Sequence, residues 1–235
     1  MKVSIIMPVY MQRKDWFFTA MDSLCQQTYE DKEIIVSGIK DDPALEWAKS
    51  FEGVKVVDSR IPDPKRQINE AIKFATGEAI IQAGSDDILM KDALVDMMKV
   101  YEDKDAVLVY GDLEYCDENM NMIYIDKAHR EYSMAELCKR QLMSDVSLVR
   151  KTVLWEFGLF DIELSKFAVW DMWLKIAEKY PFGIHHCGHT TYKYRRHDDA
   201  LGYNLVGEEM REAFCEKWGL PYDYRRTGMG VTKVV

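Results

Sequence analysis

Asp86 and Asp87 close the run Ala79-Ile80-Ile81-Gln82-Ala83-Gly84-Ser85-Asp86-Asp87, so two adjacent carboxylates follow an apolar, strand-like stretch. Carboxylate oxygens are hard ligands suited to magnesium or manganese, and such ions in turn take up diphosphate oxygens. The same pair would equally serve to cap the helix that begins after it. Another acid, Asp171, is set among the large apolar groups of Val169-Trp170-Asp171-Met172-Trp173-Leu174. Desolvation there predicts a raised pKa and a general base, and the alternative is a first-turn aspartate facing the helix dipole. His197 ends Tyr192-Lys193-Tyr194-Arg195-Arg196-His197. A neutral imidazole can ligate a metal and the arginines can fork onto phosphate oxygens, although alone the segment also reads as a solvated basic loop. His185, Cys187 and His189 alternate onto one side of a strand, but no second ligand pair with zinc spacing accompanies them.

The elements that must hold these residues alternate in the first half of the chain. Strands are expected at Val3–Val9, Glu33–Val36, Val54–Val57, Ala79–Ala83 and Ala106–Tyr110. Between them, apolar residues at helical spacing predict helices over Asp15–Gln26, from Pro43, from Pro64 and around Ala93–Tyr101, with Gly77 as a helix C-cap. Such alternation implies right-handed crossovers and a mostly parallel sheet, whose ligands bind beyond the carboxyl ends of the strands. Pro8-Val9-Tyr10 and the acidic turn after Ala83 stand at two such ends. The second half is less regular. It has a hairpin about Asp117-Glu118-Asn119, a Ser133/Glu136 capping box, a helix Val169–Lys179, a strand Ile184–Tyr194 and a last helix Val206–Trp218. The reading is one α/β domain over residues 1–235, with a nucleotide half (1–111) and an acceptor half (112–235).

Bulk properties narrow the partners. The 235 residues are 48% hydrophobic and 30% charged, with a net charge of −9, which argues against a general nucleic-acid binder. No run approaches the ~20 apolar residues of a membrane span, which leaves peripheral membrane association open. The apolar start at Val3–Tyr10 is too short for a secretory leader. Five scattered cysteines without a C-x-x-C pair suggest free thiols and a cytoplasmic protein.

The ordered motifs resemble family 2 glycosyltransferases, which have the GT-A fold. Val3-Ser4-Ile5-Ile6-Met7-Pro8-Val9-Tyr10 looks like their first strand and nucleotide loop, and Ser23-Leu24-Cys25-Gln26-Gln27-Thr28-Tyr29 with Glu33-Ile34-Ile35-Val36 like their second strand region. Asn69–Glu78 resembles the helix before their metal motif, and Gly84-Ser85-Asp86-Asp87 lies at their Asp-x-Asp position. Phe157–Asp161 with Trp170–Leu174 resembles their acceptor segment, and Tyr194-Arg195-Arg196-His197 their last metal-binding segment. The match runs from residue 3 to about residue 200.

That resemblance implies an inverting transferase for a nucleoside-diphosphate sugar, most often a UDP-sugar. Asp86 and His197 would hold a divalent cation, manganese or magnesium, against the diphosphate. Ser85 and Asp87 would shape the turn, Arg66, Asn69 and Arg195 would contact the donor, and Asp171 would take the acceptor's proton. The acceptor would be a hydroxyl of a glycan or lipid-linked glycan. Two positions depart from the pattern. Gly84 replaces the first acid of Asp-x-Asp, and where the family carries an acidic pair directly after the second strand this chain reads Ser37-Gly38-Ile39-Lys40-Asp41-Asp42, one residue shorter and with no Asp next to Val36. Uracil would then be held by backbone groups near Ser37 and Gly38, or another base preferred. The rival readings are a weakened sugar-binding scaffold module and a sugar-phosphate nucleotidyltransferase, the latter lacking its Gly-rich loop at Tyr10-Met11-Gln12-Arg13.

Overall fold

The computed structural model describes residues 1–128, 130–139, 141–197 and 208–220. Strand β1 (Val3–Pro8) sends Ile6 into one core and Val3, Ile5 and Met7 into another. A strand apolar on both faces requires cover on both sides. One side is covered by α1 (Lys14–Cys25), α2 (Pro43–Ala48) and α4 (Ala93–Asp103), through Phe17, Leu45 and Met97. The other is covered by α3 (Pro64–Phe74), α6 (Lys151–Glu156) and α7 (Ala168–Lys179), and α8 (Glu208–Trp218) adds Phe214 to that core. The short α5 (Met134–Leu137) begins after Ser133, whose side chain makes no capping bond, so the expected capping box does not form.

The remaining strands are β2 (Lys32–Gly38), β3 (Lys55–Asp58), β4 (Ala79–Gln82), β5 (Ile88–Leu89), β6 (Leu108–Cys116), β7 (Met122–Asp126), β8 (Leu148–Arg150) and β9 (Ile184–Arg195). They form one sheet in the order β3-β2-β1-β4-β8-β6-β9-β5, with β7 added on β6. β1 is parallel to β2 and β4, and β2 to β3. β8 is antiparallel to both β4 and β6, and β6 is parallel to β9. It follows that β1, β2, β3, β4, β6 and β9 share one direction, while β5, β7 and β8 oppose it. This is the α/β fold expected from the sequence, and six strand ends open at one edge of the sheet. The loops after Pro8, Gly38, Asp58, Gln82, Cys116 and Arg195 all gather there.

Two details of the sheet differ from the sequence reading. The expected strand Ala106–Tyr110 and the first arm of the hairpin are one long strand, β6. Gly77 is not a helix cap: α3 ends at Ala75 with extended backbone. A Cβ on Gly77 would lie 2.6 Å from Ser4 Oγ and 2.7 Å from Ser4 N, so close approach to β1 is what requires glycine. At the far side, β7 pairs with β6 and exposes Met122 (60%), Ile123 (52%) and Ile125 (40%). Among the described residues no helix is long and apolar enough to cross a membrane.

Candidate active site

The turn after β4 is folded by β9. Asp87 is buried; its Oδ1 accepts from the Arg195 amide at 2.7 Å and its Oδ2 from the Tyr192 hydroxyl at 3.0 Å. The Gly84 amide donates to the same tyrosine oxygen at 2.6 Å. Burial, with the Asp86 charge beside it, pushes the Asp87 carboxyl well above the ordinary range. Asp87 thus holds the turn to β9 through both carboxylate oxygens. A side chain at position 84 would have to displace the carboxylates around it, since a Cβ there would lie 2.6 Å from Asp87 Oδ2, 2.9 Å from Asp86 Oδ1 and 3.1 Å from Tyr192 Oη.

The structure brings Asp86 and His197 together. Asp86 Oδ2 lies 3.0 Å from His197 Nε2, the carboxylate partly exposed and the imidazole side chain only 7% exposed. His197 Nδ1 is buried and has no hydrogen-bond partner among the described residues. Trp16 of α1 meets the imidazole edge-on at 4.7 Å. Arg195 lies over the same indole, donates from Nε to the Asp86 carbonyl at 2.6 Å, and bonds the Glu118 carbonyl through Nη1. Its guanidinium therefore ties the acidic turn to the β6–β7 turn, where Asp117 Oδ1 accepts from the Asn119 and Asn121 amides. An open cleft of about 380 Å³ lies alongside, lined by Arg13, Trp16, Thr19, Glu118, Asn119 and Arg195.

The loop after β1 is fixed from three directions. The Val9 amide donates to Ser37 O at 2.8 Å, and its carbonyl accepts from Gln67 Nε2 at 2.9 Å. Met11 adopts φ +47° and donates its amide to Asp42 Oδ2 at 2.6 Å, while Asp42 Oδ1 caps α2 at the Ala44 amide. Gln12 Nε2 reaches across to Ser85 Oγ at 3.0 Å, joining this loop to the acidic turn. Tyr10 stands 55% exposed at the rim. Around Ser37 and Gly38 the backbone carbonyls are already used, that of Gly38 by the Ser59 amide at 2.8 Å, and Ser37 Oγ is buried. Asp42, which ends the stretch after the second strand and precedes the helix at Pro43, is the acid that organises this loop.

Two expected contacts are redirected. Asn69 spends its amide on Phe160, donating to the carbonyl at 2.8 Å and accepting from the amide at 3.0 Å. It pins the segment at Phe160 to α3, and Arg66 stands half-buried in the first turn of the same helix. Asp171 is completely buried. Trp218 Nε1 donates to its Oδ1 at 2.8 Å, Lys217 Nζ lies 2.8 Å from the same oxygen, and Lys175 Nζ 2.8 Å from Oδ2. Burial alone would raise its pKa, but the two lysines and the indole outweigh it and hold the carboxyl below the ordinary value. The expected upward shift is therefore reversed, by Lys175 one turn along α7 and by Lys217 and Trp218, which α8 brings in from a distant part of the sequence.

Gln12, Trp16, Asp42 and Tyr192 all belong to this edge and escaped the sequence reading. Gln12, Trp16 and Tyr192 look like ordinary loop, helix-face and strand residues, while the capping pattern Asp42-Pro43 was legible without its second role.

Residues 4–151 match the sequence model described as Glycosyl transferase family 2. The chain is 33% identical over 123 residues to a poly(ribitol-phosphate) beta-glucosyltransferase of Bacillus spizizenii, covering 48% of this chain and 19% of that protein. It is 24% identical over 219 residues to an Escherichia coli UDP-Glc:alpha-D-GlcNAc-diphosphoundecaprenol beta-1,3-glucosyltransferase, covering 89% and 83%. The chain spans 31% of an uncharacterized glycosyltransferase of Rickettsia felis that it also matches, so several relatives are much longer. Among solved structures, S. aureus TarS 1-349 in complex with UDP-GlcNAc superposes with a TM-score of 0.69 at 17% identity, covering 92% of this chain and 66% of that one. A Pyrobaculum calidifontis mannosyltransferase in complex with GDP-Man and Mn2+ gives 0.60 at 16% identity, covering 89% and 59%. At these identities the structural likeness establishes the fold.

Proposed function

The chain belongs to glycosyl transferase family 2, and we propose that it transfers a sugar from a UDP-linked donor to an acceptor hydroxyl with inversion at the anomeric carbon. The observation that carries this reading is the meeting of Asp86 Oδ2 and His197 Nε2 at 3.0 Å, at the edge where the β1 loop also ends. UDP is favoured as the nucleotide by the fold neighbour bound to UDP-GlcNAc. Relatives named for poly(ribitol-phosphate) and for a diphosphoundecaprenol-linked sugar favour a glycan or lipid-linked glycan as acceptor.

A divalent cation fits these residues. A carboxylate and an imidazole converge with the carboxylate still partly exposed, while no group of three or more candidate ligands forms among the described residues. Two protein donors suit a cation that completes its shell with phosphate oxygens and water. Asp86 and His197 would hold it, and it would supply charge neutralisation to the departing diphosphate.

The chain's own groups do the rest. The Tyr10–Gln12 loop, fixed by Asp42 and Gln67, bounds the nucleotide, and Arg66 contacts it from α3. The acceptor oxygen attacks the anomeric carbon, the bond to the β-phosphate oxygen breaks with its electron pair, and the hydroxyl proton passes to a base. Asp171 serves as that base only once Lys217 and Trp218 have left its carboxylate.

The test is UDP release from UDP-sugars by the full chain with and without manganese, alongside UDP binding. Wild type is expected to bind and turn over the donor better with manganese, and Asp86→Asn to lose that dependence. Equal manganese-independent binding by both proteins would overturn the metal assignment. Binding without any UDP release would favour the scaffold reading, to which Gly84 and the buried Asp171 lend support.

A further inference from the structure

We propose that Tyr192 is a positioning residue for the Asp86–His197 pair, acting through the Gly84 amide and Asp87; the proposal rests on the metal-dependent reading of this site. Its phenol is buried, at 2% exposure, and is the centre of a bridge. The oxygen accepts the Gly84 N–H at 2.6 Å and donates its own proton to Asp87 Oδ2 at 3.0 Å. The bridge therefore grips the turn at both ends, with Ser85 and Asp86 between them. Asp87 is held again from the same strand by the Arg195 amide, and the Asp86 carbonyl by Arg195 Nε.

The strand supplies the reason this grip matters. β9 is fixed at Tyr192 by pairing with Leu89 of β5 and with Leu113 of β6. Five positions on, the same chain carries His197. One stretch of backbone thus determines where the imidazole stands and, through the phenol, where the carboxylate opposite it stands. Gly84 has no side chain with which to hold the turn, and a Cβ there would press on both carboxylates, so the grip comes from the phenol. A group that fixes a ligand by hydrogen bonding, without touching the metal, typically governs metal affinity by 10–100-fold.

Removing the hydroxyl alone isolates this role. Tyr192→Phe keeps the ring in its core and leaves the Gly84 N–H and Asp87 Oδ2 each short of a partner. The full chain is titrated with manganese in the presence of UDP by calorimetry, and metal-free UDP binding and Tm are recorded for the same proteins. Tyr192→Phe is expected to weaken manganese-dependent UDP binding ~10-fold or more, with metal-free UDP binding unchanged. In an Asp86→Asn background the same change is expected to add nothing, since it acts through Asp86. If Tyr192→Phe does not fold, Asp87→Asn disturbs the bridge from its other end and carries the same expectation. Wild-type manganese affinity in Tyr192→Phe overturns the proposal and leaves the metal reading standing. A matching loss of metal-free UDP binding also overturns it, because the hydroxyl would then only support the fold. Wild type that binds UDP without regard to manganese overturns the metal reading and this proposal with it.

Discussion

Asp171 illustrates how far a single residue's chemistry depends on partners distant in sequence. A carboxylate among tryptophans reads as a desolvated base, yet Lys217 and Trp218 approach it from α8 and only Lys175 is local. An aspartate with no exposed surface and two cations on its oxygens is built to remain charged and to fasten α8 onto α7. Asp171→Asn would leave Lys175 and Lys217 facing a neutral amide, which should destabilise the fold by about 3 kcal/mol, as removal of one partner from a buried pair does. Thermal or urea unfolding measures this. A variant that unfolds like wild type but transfers sugar ~100-fold more slowly would instead show that the carboxylate acts as the base and does not fasten the helices. By contrast, the side chains of Asp86 and His197 could be singled out from pattern because each follows a recognisable strand. Their 3.0 Å separation could not, since it depends on the crossing of β4 and β9 ends.

At the scale of elements, Glu33 joins what the strands leave separate at the opposite edge of the sheet. From β2 it accepts from Ser4 of β1, from the Thr76 and Gly77 amides before β4, and from Lys55 of β3. Burial works against its charge, but the Lys55, Ser4 and Thr76 hydrogen bonds prevail and hold it at about 2. A folded value below the unfolded one stabilises fully above the unfolded pKa and is lost as the pH falls through the folded value. Stability should therefore decline between about pH 4.5 and about pH 2, with up to about 3 kcal/mol at stake. Glu33→Gln should lower stability at pH 7 and flatten that acid limb, as urea midpoints across the range would record; an unchanged limb would refute it. The main strands and helices were legible here because Ile-Ile-Val runs and 3.6-residue spacing are local signals. β5, with two residues, carries no periodicity to read, and although the last helix was legible, its clamp on Asp171 was not, because contacts between distant segments leave no local signal.

For the whole molecule, strand direction was the most informative expectation. Alternating strands and helices predicted a mostly parallel sheet, and the shared direction of β1, β2, β3, β4, β6 and β9 follows. That one property collects six loops at a single edge, so the site is assembled by topology before any side chain is chosen. The opposed strand β8 was not expected, because three residues between a loop and α6 give no alternation to read. The strand β7 carries a consequence of another kind. Its apolar side chains face water beside an edge of backbone that can pair with more chain, while a net charge of −9 keeps molecules apart at neutral pH. As acid neutralises that charge, concentrated solutions should turn cloudy well before the fold is lost. Ile123→Lys should raise the concentration at which light scattering appears, without moving Tm. Shelf life in the test tube would then be set by one hairpin rather than by the stability of the core.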